Sequence, residues 1–177
     1  MATALDFLVH RLPTPIGELL VVVDPEGRLR AVDWADYEDR LLGLLRTQYR
    51  GRGVQLHPAV GPGTVTATEA FASYFAGDLA AIDGLAVEFG GTEFQRNVWR
   101  ALRLIPCGRT ITYRMLAERA GRPTAIRAAG HANGSNPLSI VVPCHRVIGT
   151  DGTLTGYGGG IDRKRWLLKH EGVALKD

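Results

Sequence analysis

The sequence predicts an α+β protein of two modules: a small antiparallel sheet with one or two helices, then a mainly helical half carrying a helix-turn-helix. Three observations predict it. Short alternating apolar runs separated by turn residues open the first module. From residue 92 onward the apolar residues recur at helical spacing instead. The charge also changes sign: residues 1–90 hold seven Arg against twelve Asp or Glu, whereas residues 91–177 hold fourteen Lys or Arg against six acids.

Phe7 to Leu12, Glu18 to Val23 and Leu29 to Trp34 are the expected strands, joined by turn chemistry at Thr14-Pro15-Ile16-Gly17 and Asp24-Pro25-Glu26-Gly27. Asp36 to Tyr49 places Leu41, Leu44 and Leu45 on one helical stripe, and Thr68 to Phe75 is a second short helix. Nothing catalytic stands out here; His57 and Asp83 read as surface or turn residues. Leu85 to Gly91 is the expected linker, so the modules are placed at 1–86 and 91–175. Thr92 to Leu104 is an amphipathic helix, in which Thr92 and Gln95 can form a capping box. Tyr113 to Ala120 and Thr124 to Asn133 are two short helices around Gly121-Arg122-Pro123, the helix-turn-helix pattern, although short helices about a glycine are also common without that role. Gly134-Ser135-Asn136-Pro137 ends the second, and Asp162 to His170 forms a last helix packed by Trp166, Leu167 and Leu168.

Composition narrows the function. The chain has 177 residues, 45% hydrophobic and 22% charged, an ordinary globular balance that excludes general disorder. Its longest strongly apolar run, Leu19 to Val23, falls far short of the roughly twenty residues a membrane span needs. Asp6 interrupts the stretch Met1 to Leu12 where a signal peptide would be apolar. With two cysteines and no export signal, the expectation is a cytoplasmic protein without a disulfide framework and without membrane contact. The basic second half faces a polyanion or is a solvated face.

The chemistry gathers at Ser139 to Gly149. A strand-like run, Ile140 to Val142, delivers Pro143-Cys144-His145-Arg146. Positive neighbours lower a thiol pKa, and the thiolate is the nucleophile. A buried structural cysteine is the competing reading. Cys107, without a histidine beside it, reads as structural. The two cysteines lack the close pairing of a zinc site, and Val147 breaks the Pro-Cys-x-x-Cys of a zinc deaminase. The glycine-rich run Leu154 to Gly160 is not a phosphate-binding P-loop; it either lines a planar ligand, with Tyr157 beside it, or connects. Glu171 sits at a helix C-terminus, where the dipole disfavours a carboxylate, which points to a second purpose such as orienting His145.

Pro143-Cys144-His145-Arg146, flanked by Ile140 to Val142 and Val147, resembles the active-site signature of the methylated-DNA–protein-cysteine methyltransferases, with the constitutive bacterial branch nearest. Phe94 to Trp99, Ile105 to Gly108, Thr112-Tyr113, Arg127-Ala128, Asn133 to Pro137, Gly156-Tyr157 and Trp166 to Gly172 follow in family order. Thr14 to Gly17, Ala31 to Trp34 and Tyr74 to Gly77 extend the resemblance into the first module. The resemblance implies a ribonuclease-H-like first domain and a single-turnover repair protein that moves the alkyl group of 6-O-alkylguanine onto its own cysteine. It implies that Cys144 accepts the alkyl group, His145 deprotonates it through a water, and Glu171 orients His145. Tyr113 would protonate the departing guanine and help rotate the nucleotide, Arg127 would fill the vacated stack, and Asn136 would hold the turn before the acceptor. The second helix would enter the minor groove of double-stranded DNA, with Ala125 and Ala128 among its DNA-binding residues and Arg114 and Thr124 facing phosphates. Asn133, Val147, Tyr157, Gly158 and Gly159 would line the guanine pocket, with Gly158 where some relatives carry serine. No cofactor or metal is implied, and the protein is expected to act as a monomer. Two rival readings are a DNA-binding regulator in which Cys144 is structural and a multiple-turnover hydrolase using Cys144 and His145.

Overall fold

The computed structural model describes residues 3–60 and 62–176, with 62–65 as backbone only. Met1 and Ala2, which begin the first module and the stretch Met1 to Leu12, lie outside the described residues, as do Gly61 and Asp177. The chain divides into two compact units, 1–91 and 92–177.

In the first unit β1 (Leu5–Thr14), β2 (Gly17–Val23) and β3 (Leu29–Trp34) form the expected antiparallel meander. Gly17, at φ +123°, closes the first turn in a conformation that side-chain-bearing residues avoid. The second turn is tied by the buried Asp24 carboxylate, which accepts from the Glu26 and Arg28 amides at 3.1 and 2.9 Å and from the Arg28 and Arg30 side chains at 2.8 and 2.9 Å. A fourth strand, β4 (Val54–Pro58), joins β1 in parallel, so the sheet has the order β3-β2-β1-β4 and is mixed rather than wholly antiparallel. Helix α1 (Glu38–Gln48) makes that crossover and packs Leu41 and Leu45 on Phe7, Leu20, Val22 and Ala31. Helix α2 (Pro62–Phe75) starts six residues before the expected Thr68 and packs on β1 and β2. With both faces covered, β2 is buried along Leu19 to Val23 without alternation, which is why its sequence is a solid apolar run. The segment read as a linker is not slack: Val87 bridges Leu29, whose amide donates to the Ala86 carbonyl at 2.8 Å.

In the second unit α3 (Glu93–Arg103) begins with the expected capping box: the Gln95 amide donates to Thr92 Oγ1 at 3.2 Å and the Thr92 amide to Gln95 Oε1 at 2.9 Å. Thr92→Ala is expected to cost about 1 kcal/mol, read as a lower urea midpoint at unchanged slope. Trp99 on this helix is fully buried and donates to the Ala132 carbonyl at 2.9 Å. The helix-turn-helix is α4 (Tyr113–Arg119) and α5 (Ile126–Gly134), both packed on α3. Helix α5 starts at Ile126, not Thr124, because Arg122 to Ala125 close a turn in which the Ala125 amide donates to the Arg122 carbonyl at 2.9 Å. Two short strands, β5 (Ile111–Thr112) and β6 (Val147–Ile148), pair in parallel, and α6 (Ile161–His170) ends the fold. Among the described residues no helix is long and apolar enough to cross a membrane.

Candidate active site

The segment that carries Cys144 is built from a turn, not a strand. Ile140 to Val142, expected to be strand-like, instead folds back on itself: the Val142 amide donates to the Leu138 carbonyl at 2.9 Å, and Ile140 is held at φ +73°, a strained value for a β-branched residue. Asn136 spans this turn from inside. Its Nδ2 donates to the Val142 carbonyl at 2.8 Å and its Oδ1 accepts from the Leu138 amide at 2.9 Å. The turn is followed by one 3-10 turn, Cys144–Arg146, all three residues buried, and then by β6. Pairing of β6 with β5 ties this segment to the start of α4, since Thr112 ends β5 and also caps α4 by accepting from the Met115 amide at 3.3 Å.

Cys144 is 7% exposed and neither cysteine is in a disulfide. The next side chain, His145, is fully buried, and its Nε2 lies 2.9 Å from Glu171 Oε1. Glu171 caps the C-terminus of α6, where its carboxylate meets Arg146 as well: Arg146 Nε contacts Oε2 at 2.8 Å and Arg146 Nη2 contacts Oε1 at 2.9 Å. The remaining guanidinium nitrogen donates to the Ile105 carbonyl at 2.6 Å. Gly108 suits its place beside this group, because its φ of +77° is one that side-chain-bearing residues rarely adopt and a Cβ there would stand a tight 3.1 Å from the Glu171 carbonyl oxygen.

Burial and the neighbouring charges together set the protonation states. Burial alone would raise the Glu171 pKa, but the hydrogen bonds from His145 and Arg146 and the Arg146 charge hold it well below the usual carboxylate range. Burial is the main force on His145 and lowers its pKa, and the Arg146 and Lys164 charges push the same way against the attraction of Glu171. The ring is therefore neutral and donates from Nε2 to an ionised Glu171. Its other nitrogen, Nδ1, is buried with no hydrogen-bond partner among the described residues, so a base with a vacant lone pair sits one residue after the thiol.

The other expected residues fall into two groups. Tyr113 is half-buried, with its hydroxyl donating to the Thr155 carbonyl at 3.0 Å, next to the glycine-rich run that carries Tyr157, Gly158 and the buried Gly159. Val147 and Asn133 are buried, and Asn133 Oδ1 has no partner among the described residues. Arg114, Thr124, Arg127 and Ala128 are instead exposed on the helix-turn-helix, with Ala125 half-buried at its turn. Among the described residues no cluster of His, Cys, Asp and Glu could hold a metal ion. Two features escaped the sequence reading: the bidentate grip of Arg146 on Glu171, and Lys164, which is fully buried in α6. The signal for Lys164 was present, since Lys164, Leu167, Leu168 and Glu171 fall at the spacing of one helical face.

Residues 93–173 match the family model described as the DNA binding domain of 6-O-methylguanine DNA methyltransferase. A methylated-DNA–protein-cysteine methyltransferase of Salmonella typhimurium is 54% identical over 171 residues, 97% of this chain and 99% of the relative. The chain belongs to the methylated-DNA–protein-cysteine methyltransferase family. A member from Methanosarcina acetivorans is also 54% identical, over 160 residues covering 90% of this chain and 94% of its own. Among solved structures, Mycobacterium tuberculosis OGT in complex with DNA superposes with a TM-score of 0.72 at 36% identity, covering 94% of this chain and 92% of that one. As a methyltransferase of this family the protein is an enzyme, and its two-unit α+β architecture is the family's.

Proposed function

We infer that the protein repairs DNA by moving a methyl or other alkyl group from oxygen-6 of guanine to Cys144, once per molecule. The observation that carries this reading is a buried neutral imidazole one residue after the thiol, with Glu171 on one nitrogen of that ring and no partner on the other among the described residues. In the proposed reaction the Cys144 proton passes through an intervening water to His145 Nδ1. The Sγ lone pair attacks the saturated carbon, an S–C bond forms, and the C–O bond breaks with its electron pair on the purine. Tyr113 supplies the proton the departing guanine needs; at rest its hydroxyl is on the Thr155 carbonyl. The thioether is not reversed by water, so no second turnover follows.

The target carbon lies inside a duplex, so the nucleotide must be turned out, which costs a few kcal/mol of stacking and pairing. Arg127 is exposed early in α5 and, among the described residues, its side chain makes no ion pair or hydrogen bond, so it can enter the vacated space. The small exposed Ala128 beside it lets α5 approach a minor groove closely, and Arg114 with the turn at Thr124 and Ala125 would meet phosphates. The pocket would be closed by Asn133, Val147 and Tyr157 to Gly159, with the backbone at Gly158 serving where a side chain is missing. The protein is expected to act on DNA as a monomer and without a cofactor.

A time course with excess methylated duplex tests the reading. It predicts transfer of one methyl group per protein molecule and then none. Continued turnover, or hydrolysis of a small acyl substrate, would identify a cysteine hydrolase instead, and tight binding without transfer a DNA-binding regulator. Arg127→Ala is expected to slow repair of methylated duplex by about tenfold or more while leaving the reaction with free 6-O-methylguanine base unchanged. Equal loss on both substrates would remove the intercalating role.

A further inference from the structure

A cavity of about 350 Å³ lies outside the residues assigned to the transfer reaction, lined by Asp151 to Leu154, Arg165, Leu175 and Lys176. One wall is a fixed turn. The Gly149 amide donates to the Thr153 carbonyl and the Gly152 amide to the Gly149 carbonyl, both at 3.0 Å. Asp151 Oδ1 accepts from the Thr153 amide at 3.0 Å and from the Thr153 hydroxyl at 2.7 Å. A Cβ at Gly149 would press on this pair, 2.9 Å from Asp151 Oδ1 and 3.0 Å from Thr153 Oγ1. Lys176 lies along the same turn: a Cβ on Gly152 would meet its Cδ, Cε and Nζ at 3.4, 3.6 and 3.7 Å. Arg165, exposed on α6, lines the cavity as well.

The charges single this cavity out. Among the described residues neither Arg165 nor Lys176 makes an ion pair or a side-chain hydrogen bond. The acid in the wall, Asp151, has one carboxylate oxygen engaged twice by Thr153. Two unpaired cations against that single acid leave the cavity net positive, and Leu154 and Leu175 add apolar wall. We propose that it is a binding site for a phosphate group, held by Arg165 and Lys176, with the two leucines packing against the body that carries the phosphate. A guanidinium offers a flat pair of donors and an ammonium a mobile point charge, a combination suited to a tetrahedral oxyanion. Two sources share that chemistry, a phosphodiester of nucleic acid and a free phosphate ester. The turn leaves β6 just after the Cys144 segment and runs into Thr155, whose carbonyl accepts from the Tyr113 hydroxyl. A phosphate held here therefore rests on the stretch that joins Cys144 to the glycine-rich loop. The site is independent of the role given to Cys144.

Inorganic phosphate titrated at constant ionic strength into the full chain labelled with nitrogen-15 is expected to shift the Gly152, Leu154 and Lys176 amides with saturation in the millimolar range. Arg165→Ala combined with Lys176→Ala is expected to weaken that response about tenfold or more, because both side chains are exposed and the fold does not depend on them. A second arm adds a short undamaged duplex and names the source. Shifts of the same amides at concentrations about a hundredfold lower, with a salt slope of binding that falls by about one to two in the double variant, assign a phosphodiester. Saturation by phosphate with those amides unmoved by duplex assigns a free phosphate ester. The proposal is overturned if neither phosphate nor duplex moves these amides, or if parent and double variant respond alike. Neither arm uses a damaged base, so a parent protein that took no methyl group from a methylated duplex would refute the repair reading separately.

Discussion

Cys144→Ser is expected to abolish methyl transfer while leaving the affinity for methylated duplex within about twofold of the parent, since duplex contacts of this kind come mainly from phosphates. The hydroxyl is nearly isosteric with the thiol, so the 7% exposed site keeps its packing. It is also a far weaker nucleophile at neutral pH, and His145 has no means of making it an alkoxide of useful lifetime. The check is electrophoretic mobility for binding and labelled-methyl counting for transfer. Measurable transfer in the variant would refute the role of Cys144, and loss of binding together with transfer would make the cysteine structural.

Glu171→Ala is the second large effect, and it acts on stability as well as rate. Removing the carboxylate strands the Arg146 guanidinium, itself 6% exposed, and takes the oriented partner from His145 Nε2. Breaking a buried pair on one side costs about 3–5 kcal/mol. In calorimetry this is a lower melting temperature, and the transfer rate should fall with it because the ring is no longer fixed in the tautomer that leaves Nδ1 vacant. The pH dependence separates this from generic damage. The folded-state pKa values of His145 and Glu171 are both lowered, so the unfolded chain binds protons more readily than the folded one and acid destabilises the protein. The His145 share is lost as pH falls below about 6.5, the value of an unburied imidazole, and the Glu171 share as pH falls below about 4.3. Glu171→Ala should flatten the lower of these two declines. A variant as stable as the parent, with the same acid profile, would contradict the geometry described for this carboxylate.

Much of this site was legible because local chemistry and tertiary structure agree. The capping box at Thr92 and Gln95 is a local signal, and it starts α3 where the pattern places it. Glu171 stood out as a carboxylate set against a helix dipole, and it meets His145 and Arg146. The misses came where tertiary contacts decide. Val54 to Pro58 is short and ends in proline, so its strand exists only through pairing with β1, far earlier in the chain. Ile140 to Val142 has the composition of a strand, but Asn136 bridges both sides of the segment and forces a turn on it. Lys164 was not singled out, although its spacing from Leu167, Leu168 and Glu171 puts it on the buried face.

The proposed reaction is defined by where the alkyl group ends. Incubating the parent protein with duplex carrying a single methylated guanine, digesting it and locating the added mass by peptide mass spectrometry tests this most directly. One added methyl group is expected, confined to Cys144, with unmodified guanine restored in the duplex. A methyl group on Cys107 or another residue, or a restored guanine with no protein adduct, would contradict it.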